Sequence, residues 1–103
     1  MTAVTPRTLD ASAVAEAAAA IGPHIRRTPT ERSDAISGLA GREVYLKLEN
    51  LQKTGSFKIR GGLNALMQMD EARRANGVVT ASAGNHGQGV AFAAKLLRLS
   101  RSL

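Results

Sequence analysis

The chain has 103 residues with 14 Lys+Arg against 8 Asp+Glu, a net charge of +6, yet its basic residues fall in scattered pairs such as Arg26-Arg27 and Arg73-Arg74, and three aromatic residues make no platform for bases, so no nucleic-acid partner is expected. With no cysteine and two distant histidines, neither a disulfide framework nor a zinc cluster is available, and no metal site is expected. No apolar run approaches the ~20 residues of a membrane span and Met1–Arg7 lacks the charged start and apolar run of a secretory signal, so the expectation is a cytoplasmic chain with no membrane partner.

The first predicted element is an alanine-rich helix over Ala11–Ile21, with Val14, Ala17, Ala18 and Ile21 at helical spacing, a cap near Thr8 or Asp10, and Gly22-Pro23 to end it. The backbone around Pro29 is expected to be extended, because a residue before proline avoids the helical region. Ser33 to Leu39 reads as a short helix stopped by Gly41. Glu43–Glu49 alternates polar and apolar, which predicts a strand with Val44, Leu46 and Leu48 on one buried face. A turn follows, and Ser56 to Met69 then reads as a helix with Phe57, Leu63, Leu66 and Met67 as its buried side. Asn76-Gly77 signals a turn, Val78-Val79-Thr80 a short buried strand, and Val90 to Leu97 another helix. Strand, glycine-rich turn and helix in alternation give the expected class: α/β, a parallel sheet with flanking helices. The tail from Leu97 to Leu103 shows no strand alternation where the next strand is due, so the sheet is expected to be truncated.

Two loops carry candidate chemistry. In ASAGNHGQG, at residues 81–89, a glycine-rich turn enters a helix and directs free backbone N–H groups at an anion, with Ser82, Asn85 and His86 as additional donors and Gly84 allowing close approach. The loop is not GxGxxG, and a dinucleotide site fits poorly. The same residues also suit a plain turn whose glycines take left-handed dihedrals, with Asn85 as helix cap and His86 at the surface. In QKTGSFKIRGG, residues 52–62, Lys58 is expected near a helix N-terminus. There the helix dipole and partial desolvation disfavour the ammonium and favour the neutral amine that Schiff-base chemistry needs. Most lysines are instead solvated surface charges, and on the residues alone both readings stand.

The runs LKLENLQKTGSFKIRGGLNAL and VVTASAGNHGQGVAFAAKLL, with Thr28-Pro29 before them, closely resemble the N-terminal part of the fold-type II pyridoxal-phosphate enzymes. The group in question is threonine/serine dehydratase (threonine ammonia-lyase) and serine racemase, and the resemblance spans Arg27 to Leu97. It implies an incomplete tryptophan-synthase-β-like architecture. Residues 1–69 would be the N-terminal segment of the large cofactor-binding domain, and residues 70–103 the start of the small substrate-binding domain.

The resemblance further implies that Lys58 forms the Schiff base with pyridoxal 5'-phosphate, that Phe57 packs beside the pyridine ring, and that Asn85 lies by the cofactor's 3-hydroxyl. Ser82, Gly84, Asn85 and His86 would hold the carboxylate of a small β-hydroxy amino acid, threonine or serine. The reaction implied is elimination to a 2-oxo acid and ammonia, with Lys58 taking the Cα proton. In racemases of the family a serine before the loop's Gly-Asn returns a proton to the opposite face; this chain has Ala83, which favours a dehydratase. Family members are usually homo-oligomers with a much longer catalytic unit. Their glycine-rich phosphate loop is absent from these residues, so the expectation is a fragment inactive alone. A serine racemase-like enzyme and a non-catalytic interaction module derived from the family are the alternatives.

Overall fold

Local side-chain caps decide where three of the helices begin. A computed structural model of the chain describes residues 8–99 and 101–102; the reading of Met1–Arg7 lies outside them. Helix α1, Ala11–Ile21, starts at Asp10, whose carboxylate accepts from the Ala13 amide at 2.8 Å. The Ser12 hydroxyl and that amide together hold the Asp10 carboxyl below its ordinary pKa. Ser33 caps α2, Asp34–Ala40, which ends at Gly41 in the left-handed region with φ 67°. Asp70 caps a short helix, α4, Glu71–Ala75, that the sequence pattern does not reveal. The remaining helices, α3 over Lys58–Gln68 and α5 over Asn85–Leu96, have no side-chain cap at Phe57 or Gly84.

The strands differ from expectation in partner and in burial. Strand β1, Thr30–Arg32, pairs antiparallel with β2, Tyr45–Lys47, in the register Glu31 opposite Leu46. Ser37 of α2 ties this pair to the helix, its hydroxyl accepting from the Val44 amide at 2.8 Å. Strand β2 has no buried face: Tyr45, Leu46 and Lys47 are all exposed, because among the described residues no layer covers the pair. Strand β3 is reduced to Val78–Val79, and Val79 is 84% exposed rather than buried. The tail does supply a strand after all. Arg101–Ser102, β4, pairs parallel with β3, giving the parallel element of the expected class. Ser100 and Leu103 lie outside the described residues.

Helices α3 and α5 form the main packed pair, with α1 laid across α3. Ile21, Leu63, Leu66, Ala93 and Ala94 make the core, and Ile59 and Val90 are buried beside it. This core draws on both sides of residue 69. Of the expected buried face of α3, Leu63 and Leu66 are buried and Met67 is half-buried, while Phe57 precedes the helix and is 59% exposed. On α1, Val14 is exposed and Ile21 carries the burial. Among the described residues only Ile59 and Leu63 are large side chains with essentially no exposure. The Cα radius of gyration is 16.4 Å, above the ~13 Å of a compact domain of about 100 residues.

A core this small is sensitive to single truncations. Leu63→Ala is expected to cost ~2–5 kcal/mol and to abolish or sharply lower the thermal transition followed by circular dichroism. Leu39→Ala, at a side chain 90% exposed, should leave the transition within experimental scatter.

Candidate active site

The turn carrying Lys58 is anchored from behind by a buried polar cluster. Gln52, 3% exposed, behaves as a strand partner for Arg26. Its Oε1 accepts from the Arg26 amide at 2.9 Å and its Nε2 donates to the Arg26 carbonyl at 2.8 Å. Glu49 Oε2 accepts from the Thr28 hydroxyl at 2.5 Å and from Arg60 Nη2 at 3.2 Å, and Glu49 Oε1 accepts from Arg60 Nε. Arg60 belongs to the first turn of α3, so the cluster joins the Arg26–Thr28 segment to the helix that Lys58 begins. Gly55 completes the turn with φ 76°, a dihedral that side chains disfavour.

Among the described residues Glu49 is the carboxylate most strongly shifted by its surroundings. The Arg60 hydrogen bond is the largest cause, and the Thr28 and Gln52 donors add to it; against the opposing effect of burial they bring its pKa from 4.5 down to about 2. Its side chain is 13% exposed, so solvent screens the pair only partly. The same contact raises the pKa of Arg60.

Lys58 is the first residue of α3 and is exposed, with Nζ 5.2 Å from the centroid of the Phe57 ring. Two of the other lysines differ. Lys47 Nζ donates to the Thr28 carbonyl at 3.1 Å, and Lys53 Nζ donates to the His24 carbonyl at 2.9 Å and lies 5.7 Å from the Phe92 ring centroid. Phe57 flanks Lys58 as an exposed ring rather than as a buried wall.

The second loop is more helical than its sequence suggests. Helix α5 begins at Asn85, so Asn85 and His86 are its first two residues and Gly84 is the cap. Asn85 is therefore not the cap, and the glycines of the loop do not take left-handed dihedrals; the described glycines with positive φ are Gly41, Gly55 and Gly77. Ser82 Oγ accepts from the Gly84 amide at 3.2 Å, which fixes the serine over the start of the helix. The Gly84 amide is thereby used internally. The amides of Asn85, His86 and Gly87, in the first turn of an uncapped helix, are the anion donors that remain.

Contact between the two loops is made backbone to backbone. A Cβ on Gly89 would stand 3.0 Å from Ile59 N and from Lys58 C and O, so the second turn of α5 lies directly on the Lys58 peptide. Gly62 meets Gly89 in the same way, at 3.4 Å. His86 also lines a cleft of about 420 Å³ whose walls include Leu66, Val78, Thr80 and Val90; Lys58, Ser82 and Asn85 stand outside that cleft. The sequence points to Lys58 and the Ser82–His86 loop as candidates but gives no sign of the contacts at Glu49, Gln52, Arg60 and Gly89. A carboxylate and a guanidinium eleven positions apart carry no periodic signal, and GQG spacing alone does not say which glycine is crowded.

The family described as "Pyridoxal-phosphate dependent enzyme" matches residues 21–101, a span that includes both loops. The chain belongs to the pyridoxal-phosphate dependent enzymes. It is 49% identical over 83 residues to a serine racemase of Dictyostelium discoideum, covering 81% of this chain and 26% of that protein. It is 51% identical over 79 residues to an L-threonine ammonia-lyase of Thermotoga maritima, covering 77% of this chain and 20% of that one. Among solved structures, maize serine racemase superposes with a TM-score of 0.80 at 41% identity, over 89% of this chain and 29% of that one. The α/β architecture is thus that of the fold-type II group, of which the chain spans less than a third of each relative's length. Among the described residues no helix is long and apolar enough to cross a membrane.

The pair Glu49–Arg60 gives a signed pH dependence. Because the folded-state pKa of Glu49 is depressed, its contribution is full above about pH 4.5 and is lost as pH falls towards about 2. Urea unfolding should therefore show stability dropping by on the order of 1–3 kcal/mol between about pH 5 and about pH 2. Glu49→Gln should flatten that drop and lower stability at neutral pH; an unchanged acid profile would remove the pair from the account.

Proposed function

We propose that the chain carries the lysine-bearing part of a pyridoxal-phosphate lyase that eliminates ammonia from a small β-hydroxy amino acid, threonine or serine, giving a 2-oxo acid. The observation that carries this reading is the packing of the Lys58 peptide against α5, one turn from the uncapped amides of Asn85 and His86. An amine and an anion-binding helix start are the two groups needed by a cofactor attached through its aldehyde and a substrate held by its carboxylate. The donor set fits the cofactor on this side. Among the described residues the Lys58 amine makes no hydrogen bond and lies over the Phe57 ring, whereas the Lys47 and Lys53 amines are engaged with carbonyls; Lys95 is exposed in the last turn of α5, at the end opposite the Ser82–His86 loop.

When bound, the cofactor supplies an aldehyde for attachment and a ring that withdraws electrons from the substrate Cα. Everything else falls to the protein. Lys58 Nζ would hold the cofactor through its aldehyde and would serve as the general base for the substrate Cα proton. Phe57 and Asn85 would help hold the cofactor beside Lys58. Ser82, the Asn85–Gly87 amides and His86 would orient the substrate carboxylate, with the dipole of α5 aiding the amides.

Serine racemases among the relatives give the second reading its weight. Against it stands Ala83, whose methyl group offers no proton to the opposite face of Cα. Residues 1–69 belong in this proposal to the large cofactor-binding domain and 70–103 to the small substrate domain. The threonine ammonia-lyase of Thermotoga maritima supports the choice of reaction class.

Incubating the chain with pyridoxal phosphate, reducing with borohydride and mapping peptides tests the reading. The adduct is expected on Lys58 several-fold over Lys47, Lys53 and Lys95, and Lys58→Arg should remove the preference. Adduct spread evenly over the four lysines would overturn it.

A further inference from the structure

The closest backbone approach at a described glycine lies at Gly89. Its missing Cβ would stand 3.0 Å from three atoms, Ile59 N, Lys58 C and Lys58 O, and all three are backbone, so no flexible side chain can swing aside. At Gly62 the corresponding distances are 3.4 Å to Gly89 C and 3.5 Å to Gly89 O and Val90 N, at the near edge of ordinary van der Waals contact. Gly38, on α2, has nothing within 4 Å. The crowding is thus graded, and it peaks on the peptide of the candidate cofactor lysine.

Helix propensity points the other way. Gly89 is inside α5, where alanine would favour the helix by up to ~1 kcal/mol. A purely local role predicts that Gly89→Ala stabilises the chain. The contacts predict a different effect: a methyl group at 3.0 Å forces the first turn of α3 and the second turn of α5 apart. Catalytic groups must be held within ~0.5 Å of productive geometry, so even a small separation matters for Lys58.

We propose that Gly89 is a positioning residue for Lys58: the bare backbone at this position sets the separation between the Lys58 peptide and the Ser82–His86 loop. This rests on the reading of Lys58 as the lysine that takes the cofactor. Gly89 touches neither cofactor nor substrate and acts only through the Lys58 peptide. The Glu49–Arg60 pair constrains the same turn from the other direction, through Arg60 two residues further on. Lys58 is therefore held between a polar anchor and a backbone-to-backbone contact.

The test compares the wild-type 103-residue chain with Gly89→Ala, Gly62→Ala and Gly38→Ala, with helical content checked by circular dichroism. Two readouts are taken. In the first, the ratio of borohydride-trapped pyridoxal phosphate on Lys58 to that on Lys95 should fall several-fold in Gly89→Ala, fall less in Gly62→Ala, and stay unchanged in Gly38→Ala. In the second, reductive methylation with isotope-labelled formaldehyde gives each lysine its own resonance; that of Lys58 should move in Gly89→Ala while that of Lys95 does not. If Gly89→Ala fails to fold, the milder Gly62→Ala carries both readouts, and wild-type values there overturn the proposal. A folded Gly89→Ala with the wild-type ratio and the wild-type Lys58 resonance also overturns it. A wild-type chain with no preference for Lys58 overturns the cofactor reading, and the methylation resonance then decides on Gly89 independently.

Discussion

Lys58 and Asn85 open two different helices, and what joins those helices is the crossing of α3 and α5 at Gly62 and Gly89, where backbone meets backbone. Every other feature of the site is referred to that crossing. It buries Ile59, Leu63 and Val90 on either side, so the core and the candidate site share the same contact. The close approach is favoured because neither glycine carries a side chain, and its consequence is to set the Lys58 peptide against the second turn of α5. A larger residue at the contact would alter packing and chemistry together, since few large side chains remain to absorb the change.

The Glu49 cluster determines how the chain reaches that crossing. Gln52 pairs with both backbone groups of Arg26, and Glu49 gathers Thr28 and Arg60, so a half-buried carboxylate links the segment before β1 to the first turn of α3. Charges this enclosed contribute little net stability unless their hydrogen bonds are nearly complete. Here three different side chains donate to one carboxylate, which is why its pKa falls despite burial. The cluster serves specificity of arrangement: it fixes the direction from which Lys53–Phe57 enters the helix. The turn thus has one rigid flank while Lys58 and Phe57 themselves stay exposed.

Helix positions were legible in the sequence because their signals are local. Asp10, Ser33 and Gly41 act where capping rules put them, and Ile21, Leu63 and Leu66 follow the apolar period. The strands were less legible because burial depends on what lies across them. Leu46 and Val79 alternate or cluster as buried residues do, yet among the described residues nothing covers them. The antiparallel pairing of β1 with β2 is set by long-range hydrogen bonds such as Leu48 N to Pro29 O at 2.9 Å, which leave no pattern within either strand. Lys58 and the Ser82–His86 loop stood out through two long motifs in the right order. The start of α5 at Asn85 rather than after Gly89 did not, since three of the residues 84–89 are glycines, which local propensity assigns to a turn. Tertiary contact with α3 overrides that propensity.

The account stands or falls on the contact between α5 and the Lys58 peptide. In isotope-labelled protein, a nuclear Overhauser experiment between the α-protons of Gly89 and the amide proton of Ile59 reads that contact without reference to any ligand. The structure predicts a strong cross-peak, because the Cβ direction of Gly89 points to Ile59 N at 3.0 Å. A chain in which α3 and α5 are both helical by their chemical shifts but this cross-peak is absent would contradict the central claim.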